Sequence, residues 1–140
     1  MADYYTQYSA EIDKLTDEEI KWLEARLKDI EDTRANGDDF GQDEDDLGQV
    51  ELRDRTLWFC ARESGDPQAV AEFVQGFLKR FRPNGTFSME HTFSCSRPRL
   101  DGFGGGAIFV TAERIEHLDT CAWVSERCRE HEKRVVEHTG

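Results

Sequence analysis

Long apolar runs are absent from this sequence of 140 residues, and no stretch approaches the roughly 20 apolar residues that a membrane-spanning helix requires. The first residues, MADYYTQYSAEID, also lack the basic and apolar regions of a secretory signal peptide. Both absences favour a cytoplasmic protein with no membrane partner. The chain has four cysteines, and thiols in the cytoplasm stay reduced. We therefore expect free, mostly buried thiols at Cys60, Cys95, Cys121 and Cys128.

The apolar residues that are present suffice for one folded domain. They make up 37% of the chain, and aromatic residues make up 11%, so the composition disfavours general disorder. A chain of this length also fits one domain and not two. We predict a single domain over residues 1–140, in which an acidic helix and loop (1–49) precede an α/β core (50–140).

Negative charge is concentrated near the N-terminus. Residues 1–54 hold 18 acidic and 6 basic residues, whereas residues 55–140 hold 12 of each, so the net charge of −12 belongs to the first segment. Such a segment repels phosphates and disfavours nucleic acid as a direct ligand. It favours a partner protein with a basic surface, or imitation of the charge of a nucleic acid. The acidic loop at 38–49 departs from EF-hand spacing, which predicts a solvated linker, with weak calcium binding as the alternative.

Two helices carry clear signals at their N-termini. Thr16 and Glu19 form a capping box, and the helix that follows is predicted to end at Asn36-Gly37. Its apolar residues recur at helical spacing and are Ile20, Leu23, Leu27 and Ile30. In the second helix, Asp66 is the predicted N-cap and Pro67 occupies the first position. Its apolar stripe consists of Val70, Phe73, Val74, Phe77, Leu78 and Phe81.

Three strands are predicted around the second helix. Thr56–Ala61 is β-branched and aromatic, Thr86–Ser96 alternates between apolar and polar residues, and Ala107–Val110 is short. Thr111 is predicted to cap a third helix over about 112–135. The order α-β-α-β-β-α predicts an α+β two-layer sandwich with a small, mostly antiparallel sheet and the helices on one face. The first two strands are expected to run parallel if they are neighbours.

Two segments carry a resemblance to a known family. They are ESGDPQAVAEFVQGF (63–77) and CSRPRLDGFGGGA (95–107), and the opening MADYYTQYSAEIDKLTDEE is similar as well. With these segments the chain resembles an uncharacterised family of small proteins encoded by phages and bacterial mobile elements. Residues 31–50 depart from the family pattern in length and acidity. The resemblance implies a protein that works in a bacterial cytoplasm, and it implies no catalytic residues.

No pattern in the sequence predicts a cofactor or a metal site. The glycines from Gly102 to Gly106 precede a strand, so they fit a hairpin loop or a close backbone approach better than a phosphate cradle, which opens a helix. The spacing of His117, Cys121, Cys128 and His131 resembles a metal pattern. On one helix these four positions span about 21 Å, too far to share one zinc ion, which favours packing at the edge of the core.

Two functions follow from these observations. The favoured one is a non-enzymatic protein–protein interaction factor of phage or mobile-element type, in its sharpest form an inhibitor of a host nucleic-acid-binding or defence protein by charge mimicry. Its predicted partner-binding residues are Asp38, Asp39, Asp43, Glu44, Asp45 and Asp46.

The alternative is a small ligand-binding or enzymatic domain. Its site would lie at the loop 97–106 and on the polar strand face formed by Ser88, Glu90, Thr92 and Ser94. The candidate ligand-binding or anion-binding residues are Arg82, Arg97, Arg99, Gly104 and Gly105. Metal binding through the acidic loop or the cysteines is a third possibility.

Overall fold

The computed structural model describes residues 4–35, 47–96 and 103–139. Their strands are β1 (Tyr4–Ile12), β2 (Gln49–Arg53), β3 (Thr56–Ala61), β4 (Thr86–Cys95), β5 (Gly104–Thr111) and β6 (Ile115–Asp119). The helices are α1 (Asp17–Ala35), α2 (Pro67–Phe81) and α3 (Thr120–Thr139). The fold is α+β, as predicted, with the element order β-α-β-β-α-β-β-β-α in the described part of the chain.

The six strands form one antiparallel sheet in the order β2-β3-β1-β4-β5-β6. Strand β1 lies inside it, where Tyr8 faces Ala61 of β3 on one side and His91 of β4 on the other. The order predicted from the sequence has no strand before its first helix, so β1 was not predicted. Strands β3 and β4 both run antiparallel to β1, so they are parallel to each other without being neighbours.

One face of the sheet carries the core, together with α1 and α2. Trp22 of α1 packs against three phenylalanines of α2, with ring centroids 5.8–6.2 Å apart. The largest fully buried side chains come from both layers and are Leu15, Leu23, Leu57, Phe59, Val70, Val74, Phe77 and Val110. The apolar stripe of α2 therefore packs against the sheet, as its helical spacing predicts, and shields this face of the sheet from solvent.

Both predicted helix starts are confirmed. The backbone N–H of Thr16 donates to Glu19 Oε1 at 2.8 Å, and the N–H of Glu19 donates to Thr16 Oγ1 at 3.2 Å, which completes the capping box. At the second helix, the N–H of Gln68 donates to Asp66 Oδ1 at 2.9 Å. These local bonds satisfy N–H groups that have no partner within the first helical turn.

The C-terminal part differs from the prediction of one helix over 112–135. Thr111 does accept the N–H groups of Glu113 and Arg114, but its own N–H donates to the Arg114 carbonyl, which makes a tight turn into β6. The helix begins only at Thr120, where the N–H of Ala122 donates to Asp119 Oδ1. All described side chains of α3 are exposed. None of the helices in the described ranges is long and apolar enough to cross a membrane.

Candidate functional site

The sequence-predicted site residues fall into two groups. The six acidic residues of the loop, Asp38, Asp39, Asp43, Glu44, Asp45 and Asp46, lie outside the described residues, as do Arg97 and Arg99. Both the acidic partner site and the ligand site at loop 97–106 therefore stay predictions. Arg82, Gly104 and Gly105 are described, and their surroundings show what each of them does in the fold.

Arg82 is the C-cap of α2, and two of its guanidinium nitrogens, Nε and Nη2, bind acceptors within the chain. Nε and Nη2 donate to the two carboxylate oxygens of Glu19 at 2.9 and 3.2 Å. Nη2 also donates to the backbone carbonyls of Asp13 and Lys14 at 3.0 and 3.3 Å. An external anion would have to displace these acceptors, so Arg82 acts as a structural clamp in this arrangement.

The carboxylate that Arg82 binds is almost completely buried. Burial alone would raise the pKa of Glu19, because it disfavours the charged form. The hydrogen bonds from Arg82 and Thr16, together with the positive charge of Arg82, outweigh burial and hold the pKa of Glu19 below its ordinary value. Glu19 is therefore an ionised structural residue, and nothing in its surroundings equips it to exchange protons during a reaction.

The glycines of β5 are explained by close packing. A Cβ atom on Gly105 would lie 2.7 Å from the His91 carbonyl oxygen, and one on Gly106 would collide with the Leu118 carbonyl oxygen. The N–H of Gly105 donates to Thr120 Oγ1 at 3.0 Å, which fastens the start of α3 to the sheet. The interpretation as a close backbone approach is thus confirmed for these two positions, which lie in a strand.

His91 occupies the space that Gly106 leaves open. Gly106 pairs with His91 on one side and with Asp119 on the other, so the imidazole and the carboxylate flank a residue without a side chain. Among the described residues, His91 Nδ1 is buried without a hydrogen-bond partner. Burial lowers the pKa of His91, and nearby His117 lowers it further, whereas the Asp119 carboxylate opposes both.

The cysteines and histidines do not assemble a metal centre in the described ranges. There, no three His, Cys, Asp or Glu side chains lie close enough together to hold a metal ion. His117 belongs to strand β6, whereas Cys121, Cys128 and His131 belong to α3, so the four residues do not share one helix. All four thiols are free, as expected, but only Cys60 and Cys95 are buried.

The second face of the sheet is not covered by α1 or α2, and we call it the open face. It carries three large exposed apolar side chains, of which Trp58 is 36%, Phe109 41% and Leu118 59% exposed. Its described strand residues include a single cation, Arg53, and four carboxylates, which belong to Glu11, Glu51, Glu90 and Glu116. Exposed apolar groups that share a face with mostly acidic side chains are typical of a protein-binding surface.

Trp58 forms the centre of the best-defined site on this face. Glu11 of β1 and Glu51 of β2 lie directly opposite it on its two neighbouring strands. Its indole Nε1–H donates to Ser9 Oγ at 2.8 Å, which ties the ring to strand β1. These groups border an open cleft of about 340 Å³, here called the Trp58 cleft, lined by Glu11, Glu51, Arg53, Asp54, Thr56 and Trp58.

The chemistry of the Trp58 cleft suits a cation. An aromatic face attracts ammonium and guanidinium groups, and carboxylates at the ring edge add charge-assisted hydrogen bonds. Arg53 already makes such a bond to Glu51 at 2.9 Å, with both side chains largely exposed. The chain's own arginine therefore demonstrates the interaction that a partner's arginine could make in its place.

Sequence patterns did not single out the Trp58 cleft. The β-branched and aromatic composition of Thr56–Ala61 predicts a strand that is buried on much of both faces, and this holds for Cys60 but not for Trp58. The available signal was the alternation of outward-facing residues in three separate strands, with Glu11, Glu51 and Trp58 each in an outward position. Only the strand order places these three residues in one row.

Comparisons with known proteins give no guide to the function of this chain. No family model, curated protein or solved structure matches the chain.

Proposed function

We propose that this protein is a non-enzymatic interaction factor that binds a basic surface of another protein through the Trp58 cleft. The observation that carries the proposal is the row Glu51–Trp58–Glu11, in which two carboxylates flank an exposed indole. A lysine or arginine of the partner would lie against the ring and bind one of the carboxylates. The exposed side chains of Phe109 and Leu118 extend the contact area on the same face.

The charge of the chain supports the same class of partner. With a net charge of −12, most of it in residues 1–54, the protein attracts basic surfaces before contact is made. Proteins that bind nucleic acids have such surfaces because they neutralise phosphates. Combined with the resemblance to phage and mobile-element proteins, this leads us to propose that the partner is a nucleic-acid-binding protein of the bacterial host, and that binding inhibits it by charge mimicry.

A fluorescently labelled nona-arginine peptide provides a direct test. We expect it to bind in low salt, to dissociate as salt screens the charges, and to bind about tenfold more weakly to Trp58→Ala and to Glu11→Gln/Glu51→Gln. The matched control is Glu90→Gln/Glu116→Gln, which removes the same charge from the same face away from the cleft. This control should change the affinity by less than twofold.

Equal losses in the cleft and control variants would mean that only net charge matters, and this would contradict the proposal. A separate variant that neutralises the six acidic residues between Asp38 and Asp46 tests the loop hypothesis. If that variant abolishes peptide binding while Trp58→Ala leaves it unchanged, the partner site is the acidic loop and not the cleft.

A further inference from the structure

Helix α3 presents its side chains to solvent along its whole described length. It is about 30 Å long at 1.5 Å per residue, and every side chain from Cys121 to Glu137 is exposed. In the described ranges, its first turn is fixed to the sheet through the hydrogen bond from Gly105 to Thr120 and the contact of the Cys121 thiol with the Phe103 carbonyl. Helices in proteins gain most of their stability by packing one face against another element, so we expect a solvated helix of this length to have a packing partner.

One face of α3 has the spacing of a coiled-coil seam. Val124, Cys128, His131 and Val135 follow one another at intervals of four, three and four residues, which are the intervals of d, a, d and a positions in heptads. Val124 is 52% exposed and Val135 is 47% exposed, so the two aliphatic residues of this seam are accessible. A second helix could cover all four side chains at once.

The charges beside the seam specify what that second helix is. In the same heptads, Arg127 is a g position and Glu132 is the e position of the next heptad. Two parallel copies of α3 would place Arg127 of each copy opposite Glu132 of the other, giving two attractive pairs. An antiparallel arrangement would instead bring Arg127 near Arg134, and these charges repel.

We propose that α3 is a self-association helix, through which two copies of this protein form a parallel dimer along Val124, Cys128, His131 and Val135. The seam is separate from the Trp58 cleft, which lies on strands β1 to β3 of the sheet. Self-association by α3 therefore stands independently of the proposed function. In the dimer, Cys128 faces Cys128 of the second copy within the short range that a disulfide requires.

Charge reversal tests the pairing. Sedimentation equilibrium of the wild-type chain should show a monomer–dimer equilibrium, and Glu132→Lys should raise its dissociation constant about tenfold because both pairs become repulsive. The double variant Arg127→Glu/Glu132→Lys restores the attraction and should restore the dimer. The matched control is Glu130→Lys, which breaks the contact of 2.9 Å between Arg127 and Glu130 within one helix but lies outside the seam.

Thiol cross-linking tests the direction of the helices. With diamide as the oxidant that takes up the two thiol hydrogens, Cys121→Ser, which keeps Cys128 on α3, should form a covalent dimer, whereas Cys121→Ser/Cys128→Ser should not. Helix content from circular dichroism identifies variants that fail to fold. A wild-type chain that stays monomeric at high concentration, a dimer that is insensitive to Glu132→Lys, or absence of the Cys128 cross-link would each overturn the proposal.

Discussion

Glu19 and Arg82 are joined by two hydrogen-bonded contacts, although 63 residues separate them in the chain. Glu19 belongs to the first turn of α1, and Arg82 is the residue at which α2 ends. Arg82 also holds the carbonyls of Asp13 and Lys14, and Lys14 has a left-handed backbone with φ of 55°. The pair therefore ties the start of one helix, the end of the other and the turn between β1 and α1 into one unit.

Removing either partner of this pair should have unequal effects on stability. Arg82→Leu leaves the buried Glu19 carboxylate without its counter-charge and should lower the free energy of unfolding by about 3 kcal/mol. Glu19→Gln keeps a side chain that suits the capping box, and it leaves Arg82 partly exposed to water, so the loss should be about 1 kcal/mol. Urea denaturation of both variants measures the difference, and equal losses would contradict this account.

The low pKa of Glu19 also predicts how stability depends on pH. The folded state binds this proton less readily than the unfolded state, so the contribution of Glu19 is fully present above the ordinary value of 4.5 and is lost as pH falls through the folded-state pKa. The advantage of the wild type over Glu19→Gln in urea denaturation should therefore shrink between neutral and acidic pH. A difference that stays constant across this range would show that the carboxylate charge is not involved.

His91 should titrate below the ordinary histidine value of 6.5, because it is partly buried. The unfolded state then binds the proton more readily than the folded state. The contribution of His91 to the free energy of unfolding is therefore fully present above pH 6.5, and it declines as pH falls through 6.5 toward the folded-state pKa. Asp119→Asn should lower the pKa of His91 further, since it removes a negative charge and keeps a good helix cap. NMR titration of the imidazole signals measures both effects; a pKa of His91 at or above 6.5 would refute the prediction.

Replacement of Gly106 and of Gly76 by alanine should change the stability of the fold in opposite directions. Gly106→Ala forces a Cβ atom against the Leu118 carbonyl and the His91 ring, so we expect a loss of about 2 kcal/mol or more. Gly76 lies on the exposed side of α2 with no atom near the position of an added Cβ, and Gly76→Ala should raise stability by about 0.5–1 kcal/mol. Thermal denaturation of the pair distinguishes a packing constraint at Gly106 from a general effect of alanine.

Arg53 should weaken the binding of a cationic partner at the Trp58 cleft, because it already forms an ion pair with the Glu51 carboxylate that the partner's cation would bind. Arg53→Gln should therefore strengthen binding of the nona-arginine peptide, by roughly threefold to tenfold at low salt. Arg62→Gln removes the same charge from an exposed position next to β3 and serves as the control. If both variants strengthen binding equally, the effect comes from net charge and not from the release of Glu51.

Sequence alone predicts the elements whose signals are local. The capping box at Thr16 and the N-cap at Asp66 depend on residues within one helical turn, and the amphipathic stripe of α2 repeats over its full length. The alternation in β4 likewise shows which of its faces meets the core. These features also suffice for the α+β class, because an amphipathic helix between alternating strands has to cover a sheet.

Of the three strands that the predicted order lacks, β1 and β6 have weak local signals. In β1 the inward-facing residues are Tyr8, Ala10 and Ile12, and the middle one is small, so their alternation is faint. In β6 the spacing of Ile115 and Leu118 suggested a helix face, whereas in the sheet these two side chains point to opposite faces. The pairing of each strand with its neighbours decided its conformation, because a strand is completed by hydrogen bonds to other segments.

The sequence by itself therefore determined the helix starts, the core stripe of α2 and the concentration of negative charge near the N-terminus. Only the tertiary structure placed Glu11 and Glu51 on either side of Trp58, joined Glu19 to Arg82 and left α3 exposed beyond the sheet. The physical reason is the range of the interactions. Caps and helical periodicity act within a few residues, whereas strand order and long-range ion pairs depend on segments that meet only when the chain folds.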